Sequence, residues 1–190
     1  MADYAAIYPK ILIGRMKILI AEDDVGIAET YLVILNAKGH GVTVTYDGEE
    51  CLNVYNDALA RIDDDSEEYL SLNPPFDAVV LDYRMPKMDG MDVAKLILEA
   101  NKHQRIIFAS AYTESTLRES VEQLHAVVEL LQKPFDLELI VELIEDKRVF
   151  EELQNINVIV PELQQPDPLE ELKELLQSLR KLHSKTPLIQ

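Results

Sequence analysis

The chain has 190 residues, 47% of them hydrophobic, enough for one packed domain with an extension. Its net charge of −17 argues against direct nucleic-acid binding, which needs Lys and Arg to neutralise phosphates, and favours basic partner surfaces and cations. No apolar run approaches the roughly 20 residues that span a bilayer, so no membrane partner is expected. The lone Cys51 excludes an intrachain disulfide and fits a reducing cytoplasm.

Residues 1–15 lack a long apolar core and a cleavage signature, and read as an arm outside the fold. A first strand is predicted over 17–22, running into Glu22-Asp23-Asp24. Asp24 begins a helix with Ile27, Tyr31, Ile34 and Leu35 on one face, and Gly39 is available for a left-handed stop. The run 42–46 is more polar and alternates, which suits an edge strand. The acidic stretch 61–68 reads as a solvated loop or an extended helix end; it lacks the Gly and the late Glu of a calcium loop. A third strand over 77–82 ends in Asp82, and Asp89 caps a helix carrying Val93, Leu96, Ile97 and Ala100. A fourth strand over 105–110 ends in Ser110, and Thr113 caps a helix over 114–123. The fifth strand, 127–131, leads to Lys133-Pro134-Phe135, and Asp136 caps a helix from Leu137 to about Phe150. Strand and helix in alternation predict an α/β fold, a doubly wound five-stranded parallel sheet.

Residues 149–190 hold too little for a second ordinary domain. Asp167, Pro168 and Glu170 form a start signal for a helix over about 168–183. Leu169, Leu172, Leu175, Leu176, Leu179 and Leu182 form its stripe, and Leu172, Leu175, Leu179 and Leu182 have heptad-like spacing. The stripe is expected to pack on the domain or to pair two copies as a homodimer. Docking to a separate effector is the sharper reading.

Sheets of this kind place their sites beyond the C-terminal strand ends. There the sequence sets acids after the first strand, one Asp after the third, a Ser at the fourth and a Lys after the fifth. That pattern suggests a magnesium-dependent phosphoryl-acceptor site. With Glu22-Asp23, Asp82-Tyr83-Arg84-Met85-Pro86, Ser110-Ala111 and Lys133-Pro134-Phe135 in this order, residues 16–148 resemble the receiver domain of two-component response regulators, a flavodoxin-like fold.

The resemblance implies that Asp82 takes a phosphoryl group from a histidine kinase or phosphotransfer protein. It implies Mg²⁺ held by Asp23, Asp82 and the backbone carbonyl of Arg84, with Glu22 acting through water. It assigns Ser110 and Lys133 to the phosphoryl oxygens and a cis bond before Pro134. The family's aromatic switch position is occupied by Leu130, a departure. Tyr112 is the substitute candidate, and Arg84 and Tyr112 are expected to tune the lifetime of the acyl phosphate. Such a protein signals through contacts with an effector and turns over no substrate. A phosphorylation-independent scaffold and a transcription regulator with its output in the tail are the alternatives. A small phosphohydrolase fits less well, because position 84 holds Arg where a second Asp would act as general acid.

Overall fold

Sheets covered on both faces need strands that are apolar on both sides, and short Val-, Ile- and Leu-rich runs supply them here. The computed structural model describes residues 14–62, 69–70, 73–111, 124, 126 and 128–146. Its elements run β1 (Lys17–Ala21), α1 (Val25–Ala37), β2 (Gly41–Thr45), α2 (Gly48–Leu59), β3 (Ala78–Leu81), α3 (Gly90–Ala100), β4 (Ile106–Ser110), β5 (Val128–Gln132) and α4 (Leu137–Glu145). All five strands are parallel, in the order β2-β1-β3-β4-β5. This is the flavodoxin-like strand order that the resemblance implies. The polar run of β2 lies at an edge, as its alternation predicts.

The order reverses beside β1, which pairs with β2 on one side and β3 on the other. The C-terminal ends of β1 and β3 therefore flank the crevice where such sheets hold their sites. Side chains alternate between faces. Ile18, Ile20, Val80, Ile107 and Leu131 pack under α1 and α4. Leu19, Val79, Leu81, Phe108 and Leu130 pack under α2 and α3. Fully burying a side chain of this size stabilises the fold by about 1.5–3 kcal/mol.

The helix starts follow side-chain chemistry. Asp24 accepts from the N–H of Ile27, Asp47 from Glu50 and Asp89 from Asp92. Gly39, at φ 94°, takes the left-handed position after α1. Two expectations are corrected. Asp136 stands at the start of α4 but makes no side-chain capping bond. On α3, Leu96 and Ala100 are exposed, and Ala94 and Leu98 are buried beside Val93 and Ile97. Helix α2, which the alternation implies without giving its bounds, buries Cys51 and Tyr55 fully and packs Leu52, Val54, Ala58 and Leu59 against the core.

The base of the sheet, away from the acids, is fastened by a buried ion pair. Arg105 Nε and Nη2 donate to the two carboxylate oxygens of Glu129 at 2.7 and 2.8 Å. The same guanidinium donates to the carbonyls of Leu143 and Ile144 at 2.6 and 2.9 Å, satisfying the C-terminal end of α4. His40 Nε2 meets Glu145, the last residue of α4, at 3.1 Å. No helix among the described residues is long and apolar enough to cross a membrane. The arm before Gly14, the helix expected over 114–123, and the tail with its Leu-rich helix lie outside the described residues.

Candidate functional site

Glu22 and Asp23 follow the last residue of β1, and Asp82 follows the last residue of β3. Their backbones continue the sheet by one more bond each. Glu22 N–H donates to Thr45 O at 3.1 Å, and Asp82 N–H to Ala21 O at 2.9 Å. Two adjacent strand ends thus deliver three carboxylates, with ligand oxygens all within 4.8 Å of one another.

Lys133, just past β5, reaches this cluster across the crevice. Its Nζ lies 2.5 Å from Glu22 Oε2 and 3.2 Å from Asp82 Oδ1. Its own N–H donates to the carbonyl of Ser110 at 2.8 Å, and the Lys133–Pro134 bond is cis. Glu22 is 2% exposed. Burial pushes its carboxyl above the ordinary range; the Lys133 hydrogen bond and charge oppose that shift, and the Asp82 charge adds to it. The phenol of Tyr31, stacked on Phe135 with ring centroids 6.1 Å apart, is pushed up by burial and by the charges of Glu22 and Asp82. The rim is therefore a focus of negative potential with one ammonium inside it.

The loop after Asp82 is packed closely. A Cβ at Gly90 would collide with the carbonyl of Asp82, and one at Gly48 with the carbonyl of Met88. Gly90 N–H donates to Tyr83 O at 3.0 Å. Arg84 is exposed, with its guanidinium 5.4 Å from the centroid of the Tyr83 ring. Ser110 is buried at the end of β4, and Leu130 is buried on β5 among the residues under α2 and α3. Tyr112 lies outside the described residues.

Glu22, Asp23, Asp82 and Lys133 thus come together, and Ser110 is tied to the group through the backbone of Lys133. The sequence reading overlooked Asp47, Lys87 and Gly90. The Asp89-Gly90 pair was the available signal for the close approach to Asp82. The carboxylates offer hard oxygen donors, the set that Mg²⁺ prefers over N and S ligands. A buried acid with a raised carboxyl also gains from a nearby cation. The donor set therefore fits a divalent hard cation.

The chain matches the family model described as "Response regulator receiver domain" over residues 18–145. Transcriptional regulatory protein ZraR of Salmonella typhimurium is 30% identical over 133 residues, covering 70% of this chain and 26% of that protein. Transcriptional regulatory protein DltR of Streptococcus agalactiae is 33% identical over 100 residues, covering 53% of this chain and 38% of that one. The chain thus spans well under half the length of these two relatives. Their names do not fit the expectation that no nucleic acid is involved. Among solved structures, the CheX-CheY-BeF3-Mg+2 complex of Borrelia burgdorferi matches at TM-score 0.55 and 27% identity, over 71% of this chain and 89% of that one.

Proposed function

The chain belongs to the response regulator receiver family, and from that premise we propose that Asp82 accepts a phosphoryl group from a histidine kinase or phosphotransfer protein. The observation that carries the reading is Lys133 Nζ bridging Glu22 and Asp82 beside a third carboxylate. One Asp82 oxygen forms the new O–P bond as the P–N bond of a phosphohistidine breaks, and the imidazole nitrogen keeps the electron pair. A carboxylate and a phosphoryl group repel each other, and Mg²⁺, when bound, supplies the screening and orientation this transfer needs. Asp23, Asp82 and the Arg84 carbonyl would hold it, with Glu22 one shell out. Lys133 would shift from the carboxylates to a phosphoryl oxygen, and the Ser110 hydroxyl would donate to another. Leu130 fills the switch position without an aromatic ring, so the response would run through Ser110 and the loop that holds Tyr112.

Residues 16–148 then form the receiver unit, in the cytoplasm, and residues 149–190 carry its signal to a protein effector or a second copy. No turnover of a substrate follows from this site. The two relatives named as transcriptional regulators favour a second reading, in which this unit controls a DNA-binding partner or segment. Phosphorylation with a small acyl-phosphate donor and Mg²⁺, followed on a phosphate-affinity gel, tests the proposal. A shifted band that is lost in Asp82→Asn and with a chelator is expected. Its absence in folded protein with metal present would leave a phosphorylation-independent scaffold.

A further inference from the structure

Lys87 is the one non-glycine with positive φ among the described residues, at 67°, and it sits in the loop directly after Asp82. Met88 N–H donates to Pro86 O at 2.8 Å, so Lys87 is the centre of a three-residue turn. The positive-φ form of that turn, near about +75°, is rare and strained. Strained residues persist only where their surroundings over-determine them.

Two contacts from outside the loop supply that constraint, and both come from the start of α2, its capping Asp47 and its first residue Gly48. Lys87 Nζ lies 2.6 Å from Asp47 Oδ2. Asp47 is itself fixed, because its other oxygen accepts from the N–H of Glu50 at 2.9 Å. Next to it, Gly48 lies against the Met88 carbonyl with no room for a side chain. Glu49 and Glu50 add negative charge facing Lys87. Neither Asp47 nor Lys87 belongs to the acidic cluster.

We propose that the Asp47–Lys87 pair is a latch that positions the 83–89 loop, and through it the Arg84 carbonyl and Asp82, for cation binding. The cation part rests on the function proposed above; the loop part does not. Asp47 and Lys87 are positioning residues, and their effect on the site passes through the turn.

The test uses the full chain with Mg²⁺ alone. Calorimetry gives the affinity, and NMR hydrogen exchange of the Met88 amide reports the turn. Asp47→Asn keeps an oxygen for the Glu50 N–H and removes the charge. Lys87→Met removes the pair and leaves the strained φ, whereas Lys87→Gly removes the pair and the strain together. Asp47→Asn and Lys87→Met are each expected to weaken Mg²⁺ binding about two- to fivefold, the range of an exposed pair, and to speed Met88 exchange. The double variant should be no worse than either single, and Lys87→Gly should recover part of the loss. In wild type the advantage should shrink at high salt. Unchanged affinity and exchange in both single variants overturn the latch, as does a double variant whose loss is the product of the two. If wild type binds no Mg²⁺, the reading of the acidic cluster falls, and Met88 exchange alone decides the latch.

Discussion

Lys133 Nζ sits 2.5 Å from Glu22 Oε2, nearer than to Asp82 Oδ1 at 3.2 Å. The ammonium is thus held mainly by the buried acid. Lys133→Met leaves the two carboxylates facing each other without it. A buried charged group stripped of its partner costs about 1–3 kcal/mol or more. The variant is expected to lose about that much in a urea titration with chelator, and to regain part of it when Mg²⁺ is added. A midpoint equal to wild type under both conditions would remove Lys133 from the electrostatics of the cluster.

The raised carboxyl of Glu22 sets a pH dependence. An acid raised by folding keeps its proton where the unfolded chain, near 4.5, has released it. Between those two values the folded state binds more protons. Stability from this group is therefore fully present below the unfolded value and falls as pH rises through the folded one. A cation on the cluster needs the ionised form. The rise in Tm with Mg²⁺ should grow as pH rises through that window, and Glu22→Gln should flatten the trend. Scanning calorimetry from about pH 5 to about pH 7.5 checks this. An identical trend in wild type and Glu22→Gln sinks it.

Each strand lies within one residue of its predicted span. The reason is local: apolar runs of strand length end in acids, Ser or Lys, and the buried sheet leaves those runs little alternative. The acids after β1 and β3, the Ser at the end of β4 and the Lys after β5 were legible for the same reason. The bounds of α2 were not, because its apolar residues are interspersed with Glu, Asn and Asp, and Cys51 and Tyr55 are its only fully buried side chains. Lys87 gave no sign of its φ, since the position carries no Gly, and its partner Asp47 lies 40 residues away in sequence. Glu129 did leave a trace. A charge inside a buried run requires a partner, yet nothing local pointed to Arg105.

The Arg105–Glu129 pair follows the energetics of buried charge. Both side chains are almost fully buried, at 3% and 1% exposure. Removing one partner strands the other, at about 3–5 kcal/mol, while replacing both by apolar groups of similar volume is often neutral. Glu129→Ala should therefore be strongly destabilised in chemical denaturation. Arg105→Met with Glu129→Leu should recover much of that loss, held back only by the Leu143 and Ile144 carbonyls that lose their donor. A double variant no better than Glu129→Ala would show that the carbonyl bonds, rather than the pair, dominate.

Arg84 bears on how long a phosphoryl group would last on Asp82. It is two residues beyond the acceptor, and its guanidinium rests on the ring of Tyr83 at 5.4 Å. Such a contact at an exposed site is worth about 0.5–1 kcal/mol. A large side chain held on Tyr83, two residues beyond the acceptor, is expected to hinder in-line attack by water. Tyr83→Leu releases the guanidinium while keeping an apolar side chain against the core, and should shorten the acyl-phosphate lifetime about two- to fivefold, the same energy expressed as a rate. Arg84→Ala removes the obstacle itself and should shorten it further. Decay of the shifted band after removal of donor measures both. Equal lifetimes in wild type and Arg84→Ala would mean that water reaches the phosphoryl group by a path Arg84 does not cover.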